Sequence, residues 1–282
     1  MPIFDTPEPI TAVFDAECLN LRIVASDRTD TVVTVAPTDP ANSRDIRVAD
    51  QATVSYAAGR LTVRAPKSWS LFTRPGTAAI TVELPTRSDV RADASIADFS
   101  CTGPLGTVTL ATSVGSIRVD DATDVHLKTD HGDIHVGHVT GYADISGSGR
   151  VDALDLAADA HIRNLNGDNR IEEIGGDLRT STANGRIRVG TAHADVDAKS
   201  ANGSIRIDEV TRGHVTAKTA AGDIEIGVAP STAAWLDLHT QLGSVRNGLD
   251  ATSGPGDATH TVEVRARTPL GDITITRAQA RS

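Results

Sequence analysis

Seven glycines stand in near-constant register: Gly115, Gly132, Gly149, Gly167, Gly185, Gly203 and Gly222, at intervals of 17, 17, 18, 18, 18 and 19 residues. A unit that short cannot bury a core alone, so the period means stacked repeats, each closed by its neighbours. Reading outward from each glycine gives columns. Position +2 holds Ile117, Ile134, Val151, Asn169, Ile187, Ile205 and Ile224, and position +4 holds Val119, Val136, Ala153, Ile171, Val189, Ile207 and Ile226. Apolar columns recur at +7 (Ala122 to Ala229) and at −7 (Val108 to Val215). Asn169 breaks the apolar pattern, and Tyr142 falls at −7 in a coil one residue short.

Two apolar positions two residues apart, with a polar residue between, describe a strand with one face inward. Each repeat therefore holds at least two short strands, and equivalent strands of successive repeats pair in parallel about 4.8 Å apart. Asn166-Gly167, Asn184-Gly185 and Asn202-Gly203 mark tight corners, because Asn-Gly favours positive φ. Position −3 carries Thr112, Thr129, Ser146, Asn164, Thr182, Ser200 and Thr219. Side chains stacked there can bond one another or the turn backbone. No base tracks the column, so it is not a row of nucleophiles.

The expected fold is all-β: a single-stranded parallel β-helix, or β-solenoid, of about 18 residues per coil with a β-rich N-terminal cap. The core offsets form no clean hexapeptide repeat, which points to a right-handed coil. Residues 1–103 read as a lead-in and cap continuous with the solenoid, through alternating runs such as "CLNLRIVAS", "GRLTVRAP" and "AAITVELP" punctuated by Pro37, Pro40, Pro66, Pro75 and Pro85. No segment combines helical period with both cap signals over two full turns. Residues 104–246 form the regular coils. Residues 247–282 read as a Gly-rich loop (247–260) followed by a C-terminal coil and cap.

"TSTANGRIRVG", "AKSANGSIRID" and "AKTAAGDIEIG" resemble the repeat unit of a bacterial family of β-strand-repeat proteins, a domain of unknown function that carries the label "putative adhesin". The lead-in, with "ITVELP" before the first coils, is also similar, so the resemblance covers nearly the whole chain. It implies a β-solenoid without established catalytic residues. Many members of that family are membrane-anchored or exported.

Composition narrows the function. Aromatic residues make up 3% of the chain and the net charge is −10. A narrow aliphatic interior follows from the first. The second argues against nucleic acid, whose binding needs clustered cations to displace counterions. No run approaches a membrane span, and the N-terminus lacks a signal-peptide pattern. The expectation is a cytoplasmic protein without direct membrane insertion, with export by another route left open. Cys18 and Cys101 form no metal or disulfide spacing and read as inert thiols, which fits a reducing compartment.

The outward +3 column reads Arg118, His135, Asp152, Arg170, Arg188, Arg206 and Glu225. Arg170, Arg188 and Arg206 form a basic stripe, and Lys128, Arg163, Lys199 and Lys218 form a weaker one at −4. Glu172 and Asp208, at +5, can neutralise Arg170 and Arg206, which favours a solvated face. The sharper alternative is an anion-binding stripe for phosphate or a uronic-acid polymer. Arg170, Arg188, Arg206, Lys199 and Lys218 are the candidate binding residues.

"DHGDIH" (Asp130 to His135), flanked by His126 and His138, is the densest set of metal-ligand types, yet its spacing does not converge around a β-corner. Asp133, Asp168, Asp223 and Asp272 follow glycines and read as turn aspartates that bond their own backbone. Catalytic motifs such as G-x-S-x-G, H-E-x-x-H and the P-loop are absent, and Trp69, Trp235, Tyr56 and Tyr142 do not line up as a sugar platform. No catalytic, cofactor or metal residue is assigned. The leading reading is a non-enzymatic binding or scaffold solenoid, monomeric or a small oligomer, whose partner is an unknown protein or an anionic glycan. The alternatives are a self-assembling structural solenoid and a polysaccharide-active enzyme, for which Asp152 with Arg170 and Asp168 with Arg186 are the neighbouring pairs.

Overall fold

The computed structural model describes residues 1–66, 76–250, 254 and 258–278. Trp69, Pro75 and residues 251–253 and 255–257 of the 247–260 loop lie outside them. The chain divides into two compact units, Met1–Thr140 and Gly141–Ser282. Both are built from parallel β-coils.

In the first unit an interior column runs Ile80, Leu21, Phe99, Ile117 and Ile134 across in-register parallel strands. A second runs Val82, Ile23, Cys101, Val119 and Val136. All ten are buried. The coil order is not the chain order. Thr11–Asp15 lies between Arg60–Arg64 and Asp89–Val114, and Cys18–Ser26 lies between Ala78–Pro85 and Asp89–Val114. The N-terminal segment is thus an inner coil. The outer coil is flanked by antiparallel strands: Thr53–Ala57 on Arg60–Arg64, Asp30–Pro37 on Ala78–Pro85, and Ile3–Asp5 on Asp30–Pro37. Antiparallel addition blunts an edge that would otherwise pair with another chain. Ala58 and Gly59 both have positive φ, as the two-residue turn between Thr53–Ala57 and Arg60–Arg64 requires.

One element departs from the sequence expectation. Ser43–Asp50 is an α-helix, capped by the Asn42 side chain on the Arg44 N–H at 3.1 Å. Its stability is tertiary. The buried Asp45 carboxylate accepts from the Asp39 and Thr77 N–H groups, both at 3.0 Å. Bonds that distant leave no periodic trace.

The second unit stacks two rows of strands. One row is Ala143–Gly147, Ala160–Asn166, Leu178–Asn184, Val196–Asn202 and Gly213–Ala221. The other is Val151–Leu156, Asn169–Ile174, Ile187–Ala192, Ile205–Val210 and Ile224–Val228. Every inward residue of the +2, +4 and +7 columns here is buried. At −7 the short coil corrects itself: Tyr142 is 42% exposed, and Ala143 takes the inward place opposite Ala160. The C-terminal segment also intercalates. His260–Leu270 sits between Gly213–Ala221 and Thr232–Leu242, and Ile273–Arg277 sits between Ile224–Val228 and Val245–Asn247.

Candidate binding groove

The corners explain why so many polar residues recur without forming a reactive centre. Gly132, Gly167, Gly185, Gly203 and Gly222 each pack against the marker glycine of the coil before, and Gly115 packs against Ala97. A Cβ on Gly203 would collide with the Gly185 carbonyl, and one on Gly185 with the Gly167 carbonyl. That carbonyl is also an acceptor. Thr182, Ser200 and Thr219 donate their hydroxyls to Gly167, Gly185 and Gly203 at 3.3, 3.1 and 2.8 Å. The stacked hydroxyls therefore bond the turn backbone of the preceding coil.

The turn aspartates also reach across coils, where the sequence had suggested a bond to their own backbone. Asp168 Oδ1 accepts the Arg186 N–H at 2.8 Å, and Asp223 Oδ1 accepts the Asp272 N–H at 2.9 Å. Asp272 in turn accepts the Ser244 N–H at 2.8 Å. On the opposite corner Asp159, Asp177 and Asp195 hold the N–H groups of Asp177, Asp195 and His214. Beside the glycines, Asn202 donates to Asn184 at 2.9 Å and Asn184 to Asn166 at 2.8 Å. The corner side chains thus bond coil to coil and are already occupied.

Asn169, fully buried at +2, is satisfied within the interior. Its amide donates to Thr180 Oγ1 at 3.0 Å and its oxygen accepts from Asn164 Nδ2 at 2.8 Å. Asn164 Oδ1 has no partner among the described residues.

Outside this frame lies a groove of about 350 Å³, floored by Ile187 and Ile205 and walled by Arg170, Arg188, Arg206 and Arg186. Arg170, Arg188 and Arg206 stand in register on Asn169–Ile174, Ile187–Ala192 and Ile205–Val210. Their charges are matched. Arg170 pairs with Glu172, and Arg188 and Arg206 share Asp208 at 2.9 and 2.6 Å. Arg206 also meets Glu225 at 2.7 Å, and Arg186 meets Asp168 at 2.9 Å. Asp152 lies in register with Arg170.

The electrostatics follow from those contacts. The Asp168 carboxyl is held below its ordinary range, first by the Arg186 N–H and then by the Arg186 guanidinium. Partial burial acts to raise Asp208, but hydrogen bonds from Arg206 and Arg188 outweigh it and its pKa falls. The Asp208 hydrogen bond raises Arg206 in return. None of these carboxylates is poised as a general acid near neutral pH.

Lys199 and Lys218 lie in register with each other on the other row of strands, so they do not extend the arginine stripe. Lys199 pairs with Asp197 at 2.7 Å, and Lys218 makes no ion pair among the described residues. Among the described residues no three His, Cys, Asp or Glu side chains converge as a cation site. The aromatic residues are scattered: Tyr56 stacks against Phe4, while Trp235 is exposed on the outermost coil of the second unit. No described helix is long and apolar enough to cross a membrane.

Comparison with known proteins adds a family. The model of the Toastrack DUF4097 family matches residues 13–276. No curated protein matches the sequence. The chain is similar to solved structures along almost their whole length, among them the following three. The first, named a putative adhesin, is from Bacteroides fragilis, with 13% identity, coverage of 97% of this chain and 95% of that one, and a TM-score of 0.38. A second protein of the same name, from Parabacteroides merdae, has 11% identity, coverage of 98% and 95%, and a TM-score of 0.43. The third, from Parabacteroides distasonis and named a putative lipid binding protein, has 12% identity, coverage of 98% and 95%, and a TM-score of 0.37.

Proposed function

The chain belongs to the Toastrack DUF4097 family, and on that premise we propose that it is a non-enzymatic binding solenoid whose groove over Ile187 and Ile205 receives an extended anionic partner, an acidic glycan. One observation carries this reading. The corner side chains are committed to neighbouring coils, which leaves the in-register arginines as the repeated surface chemistry of that row. Exposed ion pairs hold their members by no more than about 1 kcal/mol each, so a polyanion can take over Arg170, Arg188 and Arg206 at small cost. Coils about 4.8 Å apart present a linear array suited to a polymer.

The test is a titration of the whole chain with polyuronate oligosaccharides, alongside the Arg188→Glu/Arg206→Glu double variant. Saturable binding lost in that variant, without release of new reducing ends, is the expected result. Equal binding by both proteins sinks the groove reading. Chain cleavage abolished by Asp152→Asn would instead establish the enzyme alternative.

Self-association is a second reading with its own observation. Thr232–Leu242 and Val245–Asn247 are hydrogen-bonded on one side only among the described strands. Val245 is 44% exposed, whereas Ile224 and Ile273 in the same column are fully buried. Sedimentation velocity across a wide concentration range decides it, and a monomer throughout removes it.

A further inference from the structure

The first unit carries a groove that differs from the one above in a single decisive respect: its arginines make no ion pair among the described residues. The outward column across its parallel strands reads Thr81, Arg22, Ser100, Arg118 and His135 in register. A depression of about 430 Å³ lies along it, walled by Arg22 and Arg118, with Ser100, Ser116, Asn20 and Thr81 between and beside them. Small hydroxyl residues separating two long cations are what open the depression. Among the described residues neither Arg22 nor Arg118 makes an ion pair.

The comparison within the repeat is direct. Arg118 and Asp120 stand at +3 and +5 of Gly115, as Arg206 and Asp208 stand at +3 and +5 of Gly203. The Arg206–Asp208 pair is closed at 2.6 Å, whereas the Arg118–Asp120 pair is open. Two nearby carboxylates are engaged elsewhere. Asp98, on the groove wall, accepts the Ser116 N–H at 2.8 Å, and Glu83 pairs with Arg28.

We propose that this groove binds a phosphate group, with Arg22 and Arg118 closing on it from either side and the Ser100 hydroxyl donating between them. The Arg22 and Arg118 backbones lie two strand spacings apart, about 10 Å, a span that two guanidinium side chains can bridge towards one central anion. A carboxylate is satisfied by one guanidinium fork. A phosphate dianion offers three oxygens and suits two guanidiniums plus a hydroxyl. The site is independent of the glycan groove of the second unit and shares no residue with it.

Calorimetric titration of the whole chain with inorganic phosphate, with glycerol phosphate and with phosphatidic-acid vesicles tests the assignment. Arg22→Gln, Arg118→Gln and, as a control in the other groove, Arg188→Gln complete the set. Saturable binding of a phosphate probe should weaken about tenfold or more in Arg22→Gln and in Arg118→Gln and stay unchanged in Arg188→Gln. If the soluble probes bind, the ligand is a small phosphate ester; if only the vesicles bind with the same variant pattern, the phosphate is that of a lipid headgroup. The proposal is overturned by any of three results: no saturable binding of any probe, equal affinity in the Arg22 and Arg118 variants, or glucuronate binding as tightly as phosphate. Both arginines are exposed, so the variants fold, and an unchanged melting temperature verifies that.

Discussion

The Thr219 hydroxyl donates to the Gly203 carbonyl oxygen at 2.8 Å, and Thr219 is buried. The carbonyl belongs to the glycine against which Gly222 packs, so one oxygen takes both a hydrogen bond and a bare Cα from the following coil. Thr219→Val keeps the shape and removes the donor. It should cost about 1–3 kcal/mol, because a buried acceptor is left unsatisfied. The shift in urea midpoint measures it, and Thr216→Val, less buried and outward on the same strand, should be near neutral.

Gly203→Ala is expected to be more severe. Its φ of +149° lies where a side chain is disfavoured, and the new Cβ would strike the backbone of Gly185, which cannot move without disturbing a further coil. A loss of about 3 kcal/mol or more follows, from positive-φ strain together with a forced backbone shift. Gly254→Ala is the control, since a Cβ there meets nothing within 4 Å. Similar midpoints for the two variants would mean that the glycine ladder is not a packing constraint.

These two contacts mark what is legible in the sequence and what is not. Gly203, Thr219 and Ile205 could be placed by counting, because identical coils impose identical surroundings on every +0, −3 and +2 position. Stack order could not. A parallel edge accepts any strand with the right inward residues, so Gly243 and Gly271 fit the pattern equally, and only the complete fold shows that the coil containing Gly271 lies inside. The donors to Asp168 and Asp223 were hidden for a similar reason: those N–H groups lie one coil away, beyond any local turn rule. The matched charges of Arg170 and Arg206 were readable from Glu172 and Asp208, two residues along the same face. The open Arg118–Asp120 pair was not, since the same spacing gives the opposite outcome there. The helix Ser43–Asp50 escaped because its anchor, Asp45, bonds residues 6 and 32 positions away.

The Asn164–Asn169–Thr180 cluster gives a cycle with a sign reversal. Asn169→Ile restores the apolar column but removes the donor to Thr180 Oγ1 and one of the three acceptors of Asn164 Nδ2, and should destabilise by about 1–2 kcal/mol. Adding Asn164→Thr and Thr180→Ala removes the orphaned Thr180 hydroxyl, the Asn164 amide that has lost an acceptor and the unpartnered Asn164 Oδ1, while the new Thr can donate to Gly149 as Thr182 does to Gly167. The triple variant should match or exceed the parent, since removing all partners of a buried network is cheaper than removing one. Denaturation midpoints that add linearly over the single variants would show that the three side chains do not act as a unit.

Asp208 sets the final expectation, on acid stability. Its carboxyl is lowered in the folded chain, so it contributes stability above the ordinary carboxylate pKa of about 4, and that contribution disappears as the pH falls through the lower folded value. Asp208→Asn should therefore be less stable than the parent at pH 7, by about 0.5–1 kcal/mol for a partly exposed pair of arginine contacts. The gap should hold down to about pH 5, narrow below pH 4 and close when the parent carboxyl is protonated. High salt should shrink it at neutral pH, because the side chain is 21% exposed and reachable by screening ions. A gap that stays constant from pH 7 to pH 2 would assign the effect of the substitution to packing, and Asp208 would then hold Arg188 and Arg206 by shape alone.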